Sequence, residues 1–190
     1  TEFFINFLHH VDGQILSNNL AHVNEAGENY SILNLQYIIS DITLHSNDTI
    51  LILKDIHYVN INDNSTCFIQ SGEVESLNWN AISFRFGLDT IKNISNIYVN
   101  ESFHPTMAWP EMMGGGYHYM KLEGAYLNDS TFYNTHTGPT MGMDFSFSFY
   151  ENISIDNSLD YQEFSIDMNL NNWYQNPNTI YIAPAIMMNM

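Results

Sequence analysis

The chain has 190 residues, 45% of them apolar and 14% aromatic, so it is long enough to bury a substantial core and too apolar to stay disordered. Four Lys and Arg residues face 21 Asp and Glu, a formal net charge of −17 that excludes phosphate backbones and anionic membrane surfaces as partners and favours cations. The single cysteine, Cys67, makes no internal disulfide and no zinc-finger spacing, and reads as a small buried core residue.

Period-two alternation recurs along the chain. Ile5, Phe7, His9 and Val11 share one face of the first segment. Ile82, Phe84 and Phe86 alternate with Ser83 and Arg85. A strand is predicted over Tyr117 to Tyr126, with His118, Met120 and Leu122 on one face and Tyr119, Lys121 and Glu123 on the other. Phe145, Phe147 and Phe149 alternate next, then Phe164, Ile166, Met168 and Leu170. Strands buried on one face read this way. Turn signals at Asp12-Gly13, Ala26 to Asn29, Asn62 to Asn64, Ser71-Gly72 and Asn176 to Asn178 separate them. No helical period of useful length appears, so antiparallel pairing is expected. The reading is an all-β chain, an antiparallel β-sandwich, with residues 1–190 as a single domain. No apolar run is long enough to span a bilayer, and Thr-Glu-Phe-Phe is the start expected of a mature, processed chain or of a trimmed one.

One segment stands apart, His104 to Tyr126. Pro105 and Pro110 restrict the backbone, and Trp109 between Ala108 and Pro110 is expected to be extended. Gly114-Gly115-Gly116 permits a sharp bend or a close approach. His118 on an apolar face is either a satisfied core group or a metal ligand, and His9 and His136 have similar settings. No helical zinc pattern exists, so metal ligands would come from different strands. Met107, Met112, Met113, Met120, Met141 and Met143 gather near this segment; thioethers with imidazoles suit monovalent copper, and methionines also fill irregular cores. Lys121 and Glu123 read as a local ion pair of structural value. No nucleophile–base pair is visible, so the chain is not read as an enzyme.

Residues 107 to 124, Met-Ala-Trp-Pro-Glu-Met-Met-Gly-Gly-Gly-Tyr-His-Tyr-Met-Lys-Leu-Glu-Gly, resemble the signature of MbnP-like proteins, especially those of Bacteroidota. Phe7 to Gly13, Asn24 to Ser31, Leu35 to Asp41, Ile82 to Asp89, Thr135 to Gly138 and Asn172 to Pro177 look like further blocks in the family's order, so the resemblance covers nearly the whole chain. It implies a β-rich domain exported to the periplasm, the outer-membrane surface or the medium, often as a lipoprotein. It implies copper held by two histidines and a tryptophan oxidised to kynurenine, with a di-haem peroxidase of the MauG type as the oxidising partner. By position His9, His118 and His136 are the candidate ligands and Trp109 the candidate for oxidation. Some copper-binding relatives place the modified Trp two residues before a ligand His. Here Trp109 is followed at that spacing by Glu111, and Phe7 holds the place before His9. Copper binding and kynurenine formation are therefore separate expectations. The leading reading is an exported or cell-surface copper-binding protein. The alternatives are a metal-independent structural or adhesive module, as a surface assembly or homo-oligomer, and a calcium-dependent glycan-binding sandwich.

Overall fold

Two β-sheets pack face to face in a computed structural model that describes residues 1–16, 20–126, 131–156, 158–175 and 177–182. The strands are β1 (Glu2–Val11), β2 (Gln14–Ile15), β3 (His22–Val23), β4 (Asn29–His45), β5 (Ile50–Asn60), β6 (Phe68–Glu73), β7 (Ala81–Phe86), β8 (Met120–Tyr126), β9 (Thr131–Thr137), β10 (Phe147–Asn152) and β11 (Tyr161–Asn169). The β-sandwich expected from the alternation is present. Asn176, in the last expected turn, lies outside the described residues. Among the described residues no helix is long and apolar enough to cross a membrane.

The smaller sheet is built on β1. Antiparallel β6 pairs with its first half and β2 with its last residues, while β11 runs along its length. The β1–β11 pair is parallel, an exception to the antiparallel expectation. Nearly the whole chain separates these two strands, so no hairpin geometry dictates their direction. Phe3, Ile5 and Phe7 point inward as the alternation requires.

The larger sheet is built on β4, whose 17 residues serve four partners. β8 pairs with Tyr30–Tyr37 and β7 with Ile39–His45 along one edge; β3 and β5 take the other. The change of partner falls at Ile38, whose N–H donates to the Tyr119 carbonyl and whose carbonyl accepts from the Gly87 N–H. Just beyond it Asp41 adopts a left-handed φ of 57° where both ladders shift register, a β-bulge. The Asp41 carboxylate is met by Lys92 and, at 3.6 Å, by Arg85. β9 continues the sheet beyond β8, and β10 beyond β7.

Leu35, Ile38, Ile42, Leu44, Met120 and Leu122 fill the core from this sheet, all fully buried. Two readings differ from the sequence. Cys67 is only half-buried, its Sγ 3.7 Å from the Asn60 carbonyl. β10 is exposed along its whole length, Phe147 and Phe149 included, because it is an edge strand paired only with β7.

Candidate functional site

The segment before β8 folds as two short arms closed by a loop. Pro105 suits the first turn of a four-residue helix, α1 (His104–Met107), because a missing N–H costs nothing there. Ala108 is then extended and bridges Tyr117. The Trp109 N–H donates to the Gly116 carbonyl at 2.8 Å and the His118 N–H to the Met107 carbonyl at 2.7 Å, so residues 107–109 and 116–118 run antiparallel. Between them a 3-10 turn, Glu111–Met113, ends at Gly114 with φ 115°; Gly115 and Gly116 also have positive φ. Three residues in that region bring the chain back within six positions, which side chains with a Cβ resist. Fully buried Tyr117 anchors the return, its hydroxyl 2.9 Å from His104 Nδ1 and 3.0 Å from the Tyr98 N–H that donates to it.

This closure sets Trp109 against His118, ring centroids 4.6 Å apart and nearly perpendicular. His118 in turn meets His136 edge-on at 5.0 Å. Trp109 and His118 are each only 7% exposed. Gly138, two residues after His136, lies under the indole: a Cβ there would sit 2.7 Å from its six-membered ring. The Trp109 indole N–H is buried without a hydrogen-bond partner among the described residues.

The contact between the histidines corrects the face assignment for His118. His136 pairs with Lys121 in the β8–β9 ladder and therefore belongs with Lys121 and Glu123, not with Met120 and Leu122. His118 reaches it because regular alternation begins only at Met120; Tyr119 is a bend whose N–H donates to the Thr137 carbonyl at 2.7 Å.

The outer nitrogens of both rings are fixed. His118 Nδ1 lies 3.1 Å from the Met107 carbonyl, which only accepts, so Nδ1 carries the proton and Nε2 the lone pair. Burial pushes the His118 imidazole down to about 4, the Met107 carbonyl opposing and His136 adding to the shift. The ring is neutral at neutral pH. His136 Nε2 donates to Glu123 at 2.8 Å, which in the neutral ring leaves Nδ1 bare. Glu123 is held by the Asn34 amide at 2.9 Å and by Lys121 at 3.6 Å. Burial raises the Glu123 carboxyl, but the Asn34 and His136 hydrogen bonds and Lys121 more than offset it and leave it below the usual range. Glu123 thus does more than close an ion pair with Lys121. Its diagonal cross-strand position relative to His136 follows from register, which the sequence does not display.

His9 is elsewhere. It points inward from β1, and its Nε2 lies 2.9 Å from the hydroxyl of buried Tyr37 on β4, joining the two sheets. Burial takes it down to about 4, opposed by Asp167. Among the described residues no group of three or more His, Cys, Asp or Glu side chains is gathered as a metal-binding cluster, so His9 does not complete a set with His118 and His136.

The two histidines are fewer side chains than a zinc centre takes. Structural zinc takes four protein ligands and catalytic zinc three. Here two imidazoles touch edge-on, each with one nitrogen tied to a backbone carbonyl or a carboxylate, the kind of partner that orients metal-ligating histidines.

No curated protein matches the chain. A solved structure, MbnP from Methylosinus trichosporium, superposes with a TM-score of 0.62 at 12% sequence identity, covering 87% of this chain and 75% of that one, a likeness of fold. The MbnP family model matches residues 1–189, and the chain belongs to the MbnP family.

Proposed function

We propose that this protein binds copper through His118 and His136 beside Trp109, as an exported or cell-surface binding protein rather than an enzyme. One observation carries the reading: two touching imidazoles, each with its outer nitrogen fixed by Met107 or Glu123. Bound there, a copper ion would supply a redox-active centre. His118 would offer Nε2 and His136 Nδ1, while Met107 and Glu123 hold the rings. Trp109 covers the buried His118 ring and is the residue that a di-haem peroxidase of the MauG type would oxidise to kynurenine. The −17 charge of the chain supports attraction of a cation. Family resemblance supports the extracytoplasmic location.

Cu(I) titration against a chromogenic competitor tests the reading. The wild type takes up one equivalent that His118→Gln and His136→Gln lose, and Glu123→Gln weakens uptake by roughly 10–100-fold. Wild-type protein that takes up no Cu(I), or variants that bind as tightly as the parent, would falsify it. The exposed aromatic edge of β10 favours a second reading, a metal-independent adhesive or self-associating module. Oligomers that persist in size-exclusion chromatography with chelator, from protein that takes up no copper, would support that module instead.

A further inference from the structure

Two loops meet that follow closely in the chain on Trp109 and Gly138. One is the 3-10 turn Glu111–Met113 with Gly114; the other is Thr140-Met141-Gly142-Met143. Their backbones touch: the Met141 N–H donates to the Met113 carbonyl at 3.1 Å, and a Cβ on Gly114 would lie 3.3 Å from the Met141 nitrogen. The second loop is closed by reciprocal Thr140–Met143 hydrogen bonds of 3.0 and 3.2 Å. Its central residues, Met141 and Gly142, have φ of 51° and 80°. Two positive φ values in a two-residue turn select Asn, Asp or Gly. A methionine there is strained. Burial does not compensate, since Met141 is 75% exposed.

Its neighbours repeat the pattern. Met112 is 85% exposed and Met143 61%, with Met113 partly exposed. A core-filling role would bury these side chains, as it buries Met107 and Met120. What the four retain at the surface is the thioether, a soft donor that binds monovalent copper and its analogue silver in preference to hard cations.

We propose that Met112, Met113, Met141 and Met143 form a solvent-facing thioether site for a soft monovalent ion, Cu(I) or Ag(I). Its two loops follow closely in the chain on Trp109 and on Gly138 beneath the indole, and an ion captured there would pass to the histidines. That transfer rests on the copper reading of His118 and His136; the thioether site itself does not. The two are separable by substitution, since His118→Gln with His136→Gln removes the imidazoles and leaves every thioether in place.

The test is a silver titration of the full chain carrying 13C-methyl methionine, at pH 7.5 and pH 4.5. At pH 4.5 Ag(I) is expected to shift the methyl resonances of at least two of the four residues while those of Met107 and Met120 stay in place. The quadruple variant Met112→Leu, Met113→Leu, Met141→Leu and Met143→Leu is expected to bind Ag(I) at least tenfold more weakly at that pH with an unchanged near-ultraviolet circular dichroism spectrum. The double variant His118→Gln, His136→Gln keeps the shifts. The proposal is overturned if the four methyl signals do not respond, or if the leucine variant binds like the parent; a surface that serves only protein contacts gives that result. Loss of histidine-dependent uptake at pH 7.5 with the methyl shifts intact would sink the copper reading alone.

Discussion

Gly138→Ala places a Cβ where the Trp109 ring already is. Unbonded carbons rest at about 3.5–4.0 Å. The new atom would lie 2.7 Å from one carbon of the six-membered ring and 2.9 Å from two more. The indole must therefore move by about 1 Å. It is buried against His118, so the movement disturbs that contact or the backbone around it. Overpacking of this kind costs about 1–3 kcal/mol. With a urea dependence of about 1–3 kcal/mol per molar, the unfolding midpoint should fall by roughly 1 M at unchanged slope. Near-ultraviolet circular dichroism should report the displaced indole. A double-mutant cycle isolates the cause. Alanine at position 109 lacks the ring that Gly138 touches, so Gly138→Ala in a Trp109→Ala background should cost less than about 0.5 kcal/mol, a coupling within the range for residues in contact. Equal costs in the two backgrounds, or none in either, would refute the claim that Gly138 is kept small by Trp109.

Two further perturbations probe the frame. His9 is held down to about 4 by burial, so folding keeps it neutral while the unfolded chain protonates near pH 6.5. Its contribution is whole above pH 6.5, falls as the pH drops toward 4 and is then lost; after allowance for solvent access this is about 2 kcal/mol. His9→Gln, measured by urea unfolding at pH 7.5 and 4.5, should lose less stability between the two than the parent, and an identical loss would count against a neutral His9–Tyr37 contact. Gly124→Ala attacks the sheet: its Cβ would overlap the Ser31 carbonyl oxygen and lie 2.7 Å from the Tyr133 ring, forcing β8 from β4. A loss above about 4 kcal/mol is expected, and a melting temperature within a few degrees of the parent would dismiss it.

Local alternation carried the strands and their buried faces. Ile5, Phe7 and His9 point inward as they should, and Leu122 is core. The His104–Tyr126 segment was visible as a unit because prolines and glycines mark its bends. What escaped was anything set by register between distant strands, since a one-residue slip exchanges the faces. The parallel β1–β11 ladder brings His10 to 3.2 Å from Asp167, although His10 carries no special spacing. The β8–β9 ladder places Glu123 by His136, and the bend at Tyr119 turns His118 away from the face its number implied. The exposure of β10 follows from its place at an edge, which periodicity does not encode.

The placement of the basic residues joins fold and site. Three of the chain's four Lys and Arg side chains lie against three carboxylates: Lys92 between Asp41 and Asp55, Arg85 at Asp41, and Lys121 at Glu123. As partly exposed ion pairs these are worth about 0–1 kcal/mol each, so stability alone does not account for where the scarce cations sit. Position does. The Asp41 group holds the bulge at which β4 passes from β8 to β7, fixing where β8 and therefore His118 begin. The Lys121 cation favours an ionised Glu123, and an ionised carboxylate accepts the Nε2 proton of His136 more strongly than a neutral one does. A cation bound at the opposite nitrogen would make that proton more acidic and the hydrogen bond stronger still. Lys121 thus acts on His136 through Glu123.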